Sequence, residues 1–170
     1  DATGRTFYVD NLSVNVNASA NHAADGSVDN SGAFATNWTD YQASGTATES
    51  YETTVIYDTA GSAQVDLTAT AGIGIRNNMS ITPQISTQYL VSFYMQSTTT
   101  MSGTVRVGFL PAGGTGAPSG SAACTDYNTQ TATANVWTKI TCLFTTPGAG
   151  ISNPDLVIYQ SDAAARTFYV

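Results

Sequence analysis

The chain has 170 residues, enough for one substantial core, and 42% of them are hydrophobic while only 10% are charged. Its net charge is −7 and its Lys and Arg residues stand singly, so there is no basic stripe to neutralise phosphates, which argues against nucleic acid as a partner. No apolar run approaches the ~18 residues needed to span a bilayer.

Taken in chain order, the first feature is a repeat. Arg5-Thr6-Phe7-Tyr8-Val9 returns as Arg166-Thr167-Phe168-Tyr169-Val170, an offset of 166 − 5 = 161 residues, and Asp1 and Ala2 match Asp162 and Ala163 at that offset. The spacing is too long for a solenoid repeat but suits a whole domain. It supports reading the chain as one unit of a tandem array. Residues 1–14 are then the closing strand of a preceding repeat, 15–24 a linker, and 25–170 the module itself. On this reading Thr6–Val14 projects from the body or pairs with a neighbouring copy. Arg166–Val170 takes the closing position of its own module.

After the strand Thr6–Val9 comes a polar, small-residue stretch at 15–33. Helical periodicity is absent nearly everywhere, and short alternating runs dominate. They predict strands around Glu52–Tyr57, Ala63–Thr70, Tyr89–Gln96, Thr104–Leu110, Trp137–Thr145 and Leu156–Tyr159. Turn clusters separate them: Thr59-Ala60-Gly61, Arg76-Asn77-Asn78, Thr98–Gly103, Pro111–Gly120 and Pro147–Gly150. Many short strands with frequent turns indicate an all-β sandwich or barrel.

The alternation also assigns faces. Tyr89, Val91, Phe93 and Met95 point to the core, leaving Leu90, Ser92, Tyr94 and Gln96 outward. Val105, Val107 and Phe109 point inward and Arg106 outward. Ile140, Cys142 and Phe144 share the inner face. Cys124 and Cys142 are the only cysteines, too few for a closed zinc site and too far apart for a CxxC motif. A structural disulfide between them is the expected arrangement, which places the chain in an oxidising, extracellular setting.

Several stretches together resemble the jelly-roll carbohydrate-binding modules of families 4, 9 and 22. Asp25-Gly26-Ser27-Val28-Asp29 and Asn37-Trp38 stand where those modules carry N-G-x-F-E and Gly-Trp. Tyr89-Leu90-Val91-Ser92-Phe93 matches their central strand. Trp137-Thr138-Lys139-Ile140-Thr141 matches another, and Phe7–Val14 matches their closing strand, at the opposite end of the chain. Asp29 replaces the usual Glu and Val28 the usual Phe.

The resemblance implies a jelly-roll β-sandwich of two antiparallel sheets without catalytic machinery. It implies a structural calcium near the 25–29 segment, with Asp29 and Asp10 as the indicated carboxylates. Trp38 and Trp137 fall at positions used for packing. The outward set Tyr94, Gln96 and Arg106, on two strands expected to share a sheet, is the candidate glycan surface. His22 has no neighbouring nucleophile and the acidic residues are dispersed, so no enzyme activity is expected. The terminal repeat and uncharged surface favour a structural bead of a secreted or cell-surface fibre, partnered by copies of itself. The alternative is a module that binds a polysaccharide.

Overall fold

The computed structural model describes residues 7–15, 23–57, 61–79, 81–102, 105–110, 131–148 and 155–169. Its strands are β1 (Phe7–Asn15), β2 (Trp38–Gln42), β3 (Ala47–Glu52), β4 (Ser62–Leu67), β5 (Ile73–Asn78), β6 (Gln88–Ser97), β7 (Met101–Ser102), β8 (Val105–Phe109), β9 (Thr131–Ala132), β10 (Thr138–Thr145), β11 (Asp155–Gln160) and β12 (Arg166–Tyr169). A short helix, α1 (Ser31–Asn37), precedes β2. The strands form a six-stranded sheet in the order β10-β6-β1-β12-β4-β3 and a four-stranded sheet in the order β2-β5-β11-β8, with β7 and β9 as a small separate pair. This is the jelly-roll β-sandwich that the family resemblance implies.

Alternation explains how the two sheets meet. On β6, Tyr89, Val91, Phe93 and Met95 are fully buried, and Val105, Val107 and Phe109 of β8 and Ile140 and Cys142 of β10 join them in one core. Tyr89 and Phe109, from opposite sheets, meet edge to face with ring centroids 5.2 Å apart. Trp38 is fully buried in the same core, and its indole N–H donates to the Asp25 carbonyl at 3.0 Å. On β1 the register shifts between Asp10 and Ser13. That bulge lets Val9, Leu12 and Val14 all reach the core despite a spacing that simple alternation forbids.

The predicted elements differ from the observed ones in several places, and the expected turn Thr98–Gly103 contains the short strand β7. Arg76-Asn77-Asn78, expected as a turn, completes β5, because Ile73, Ile75 and Asn77 alternate into the interior. Buried Asn77 is satisfied there by donating to the Ala24 carbonyl at 2.7 Å and accepting from the Ala24 amide at 3.1 Å. The strand expected at Glu52–Tyr57 lies earlier, at Ala47–Glu52, and residues 53–57 turn back. Trp38–Gln42 is a strand that the pattern did not reveal. Helix α1 rises from the polar stretch because the Asn30 side chain accepts from the amides of Gly32 and Ala33, while Phe34 anchors its inner side against Tyr51.

The largest correction concerns β1. It does not project from the body: it is paired with β4, β6 and β12 of its own chain. Ala23, placed by the sequence in an inter-unit linker, bridges to Met79 of the same chain. Residues 7–15 are therefore part of this sandwich, and the bead-in-a-fibre reading loses the projecting strand on which it chiefly rested. The C-terminal copy does enter the closing position, as expected, but shares it with β1. The crossover from β11 into β12 is tied down by Gln160, whose buried Nε2 donates to the carbonyls of Thr70 and Ala164, each at 2.8 Å.

Candidate functional site

The expected trio of Tyr94, Gln96 and Arg106 is divided by the fold. Tyr94 and Gln96 lie on the outer face of β6 in the six-stranded sheet, whereas Arg106 lies on β8 in the four-stranded sheet. Both sets point away from the shared core, so they occupy opposite sides of the sandwich. Each outer face can be built up separately.

On the six-stranded side, Lys139 of β10 stands opposite Tyr94, and its Nζ lies 5.9 Å from the centre of the Tyr94 ring. Tyr57, from the turn after β3, stacks on Tyr94 with centroids 3.8 Å apart and planes inclined by 16°. Trp137 meets Tyr57 edge to face at 5.7 Å and so is not a core residue as Trp38 is. Glu52 accepts from the Thr53 and Thr54 amides and fixes the start of that turn. The face of Tyr94 that a sugar ring would use is thus taken by Tyr57.

The four-stranded side is organised differently. Its register sets Tyr41, Gly74, Tyr159 and Arg106 in one rung across β2, β5, β11 and β8. The next outward rung is Thr39, Arg76, Val157 and Gly108. Asn78 and Asp155 begin a third. Tyr41, Val157 and Leu110 form a small buried cluster separate from the main core, with Tyr159 packed on it. Tyr41 and Tyr159 meet edge to face at 5.6 Å. Burial, and then the neighbouring Tyr159, push the Tyr41 hydroxyl up to about 12, so it stays a neutral phenol at ordinary pH.

Gly74 is obligatory in this rung. A Cβ there would stand 2.1 Å from the Ile158 carbonyl oxygen, so the approach of β11 to β5 excludes every other residue.

At the centre lies Arg76. Its Nε donates to Thr39 Oγ1 at 2.6 Å and its Nη1 to Asp155 Oδ2 at 3.3 Å, which ties β2, β5 and β11 together. Burial pushes the Asp155 carboxyl above its ordinary value, and the Arg76 charge opposes that shift. The Arg76 side chain is about one-third exposed, and the orientation of its guanidinium is held by two partners. An arginine restrained in this way is a ready donor for hydroxyl groups, and Tyr159, half-buried on the same face and backed by buried Tyr41, offers ring surface to sugar C–H faces.

Sequence reasoning found Arg106 as an outward residue and left the face of Tyr41 open, but missed Arg76, Tyr159 and Asp155. Alternation within IGIRNN and DLVIYQ carried the signal. It was obscured because Gly, Arg and Asn read as a turn.

The carboxylates implicated in calcium binding are also resolved in part. Asp29 sits with Asp25, whose carboxyl is raised above its ordinary value by burial first, then by the charge of Asp29 and a hydrogen bond to it. Asp25 Oδ2 is buried with no hydrogen-bond partner. Asp25 and Val28 adopt φ of 48° and 51°, in the left-handed region that a β-branched residue rarely enters. The Trp38 bond to the Asp25 carbonyl and the Leu12 amide bond to the Gly26 carbonyl at 2.7 Å hold this turn. Asp10 lies on β1 opposite Tyr94, two residues before Leu12.

Among the described residues no three acidic, His or Cys side chains converge. A hard cation would therefore take Asp25 and Asp29 together with carbonyls and water, and the unpartnered Asp25 oxygen fits such a ligand set. Cys142 is fully buried on the core face of β10, and no free cysteine occurs among the described residues. Cys124 and the PAGGTGAPSG loop lie outside the described residues.

A jelly-roll sandwich with a restrained arginine and paired tyrosines on one sheet face has the makings of a ligand-binding module. The family can be stated directly: the chain belongs to the family described as carbohydrate binding domain, which matches residues 20–164. No curated protein matches the chain.

Among solved structures, it is similar to the N-terminal CBM22-1–GH10 modules of Clostridium thermocellum endo-1,4-beta-D-xylanase 10B, crystallised with xylohexaose. The identity is 14% and the TM-score 0.51, covering 75% of this chain but only 24% of that one. A C-terminal family 22 carbohydrate binding module of the same xylanase aligns at 16% identity and a TM-score of 0.49, covering 78% of this chain and 80% of that one. At 14% identity the first likeness shows the fold alone. No helix among the described residues is long and apolar enough to cross a membrane.

Proposed function

We propose that this chain is a non-catalytic glycan-binding module that holds a polysaccharide on the outer face of its four-stranded sheet. The observation that carries the reading is Arg76, fixed between Thr39 and Asp155 beside the Tyr41–Tyr159 pair. Binding to such a face combines ring contact on Tyr159 with hydrogen bonds from Arg76 and Arg106. Its donors are already oriented, so less conformational entropy is lost on association. The family to which the chain belongs supports a polysaccharide as the partner, and a partner of that kind supports a setting outside the cell.

The test is polysaccharide pull-down with the isolated chain, followed by titration calorimetry on the best ligand. Tyr159→Ala and Arg76→Met should each weaken binding about tenfold, while Tyr94→Ala leaves it unchanged. Loss confined to Tyr94→Ala would move the site to the six-stranded face. Failure of the parent chain to bind any of a broad polysaccharide panel would remove the reading.

A further inference from the structure

We infer that the closing position of the six-stranded sheet is exchangeable between copies of this chain, so that β1 of one copy can seat in the sheet of another. The inference is independent of the glycan-binding reading and rests on a match of register. Arg166 and Thr167 of β12 pair with Leu67 and Asp66 of β4. The next rungs of β4, Val65 and Gln64, are taken not by β12 but by Phe7 and Tyr8 of β1. At the offset of the sequence repeat, 168 − 7 = 161, Phe7 is the counterpart of Phe168 and Tyr8 that of Tyr169.

The opposite side behaves in the same way. Phe168 and Tyr169 pair with Ser97 and Gln96 of β6, and the following rung, Met95, is taken by Val9. In the overlap Phe7 lies beside Phe168 and Tyr8 beside Tyr169, in parallel. Every rung is therefore occupied by the residue that the repeated sequence calls for, whichever end of the chain supplies it. The position selects a sequence, not a connection.

A β1 strand supplied by a second copy would make the same ladder bonds and bury the same Val9, Leu12 and Val14. What distinguishes the two arrangements is the tether. Covalent connection keeps the chain's own β1 close, at an effective concentration on the order of millimolar, so closure within one chain prevails in dilute solution. Refolding at comparable protein concentration lets a second copy compete. The ground state is thus a self-closed sandwich, and the partner is another copy of the same chain.

Ser13 of β1 and Ser92 of β6 are register partners and provide the test. With a short thiol-specific cross-linker, the double variant Ser13→Cys, Ser92→Cys should link within a monomer. An equimolar mixture of the two single variants, unfolded and refolded together at about millimolar concentration, should yield a covalent dimer containing one of each. Neither single variant alone should do so. Light scattering on the unsubstituted chain refolded in the same way should show a dimer fraction that grows with concentration. A mixture that stays uncross-linked while the double variant links would overturn the inference. So would a linked dimer from one single variant, an unlinked double variant, or a monomer at every concentration.

Discussion

Arg76 on β5 reaches Asp155 on β11, with Nη1 and Oδ2 3.3 Å apart, and the same guanidinium holds Thr39 on β2 through Nε. Three of the four strands on that side are therefore linked through one side chain. Replacing Asp155 by Asn keeps the shape but removes the charge that orients Arg76. Glycan affinity should fall several-fold, by about 1 kcal/mol, with little change in the midpoint of thermal unfolding, because a partly exposed pair adds little to stability. Calorimetric titration alongside a melting curve checks both halves of the expectation.

Calcium should stabilise the fold through Asp25 and Asp29. A cation binding only the folded chain adds about 2.7 kcal/mol at a free concentration about a hundred times its dissociation constant. The melting temperature should rise with added calcium in the parent and not in Asp25→Asn. Equal melting curves with calcium and with chelator would show that the two carboxylates form only a turn.

Cys124 and Cys142 should be joined. Cys142 is buried on the core face opposite Val91, and closing the intervening loop contributes roughly 3 kcal/mol. Thiol titration of the denatured, unreduced chain should detect no free sulfhydryl, and reduction should lower the denaturant midpoint. Two reactive thiols before reduction would disprove the pairing.

Stability should be greater in mildly acidic than in neutral solution. Burial is the first cause raising the carboxyls of Asp25, Glu49 and Asp155 above their ordinary values in the folded chain. An acid raised on folding contributes stability that is complete below its unfolded value and lost as pH rises through the folded one. Glu52 opposes the trend. Burial pushes it up, but hydrogen bonds from the Thr54 hydroxyl and nearby amides outweigh this and leave it below its ordinary value, so its contribution is lost on acidification. With three groups against one, the denaturant midpoint should fall as pH rises from the ordinary carboxylate range, about pH 4, towards neutrality. Glu49→Gln should flatten that fall and raise the midpoint at neutral pH. A slope unchanged by the substitution would count against Glu49 as a source.

The sequence by itself determined which side chains of β6, β8 and β10 form the core, because alternation is a property of each strand alone. Tyr89, Val91, Phe93 and Met95 are buried wherever that strand sits, provided one face is covered. The class of fold and the likeness to carbohydrate-binding modules were legible for the same reason, since both are carried by strand patterns and their order. Which strands became neighbours was not legible. Tyr94 and Arg106 are both outward, yet their strands joined different sheets, and no local pattern records a pairing between residues far apart in the chain. Arg76 and Asp155 are 79 positions apart and meet only once β5 and β11 are in register. The terminal repeat was plain in the sequence, but its consequence was not. Proximity along the chain favoured the C-terminal copy, whereas the folded sheet divides the position between both copies, because each rung is satisfied by whichever matching residue reaches it.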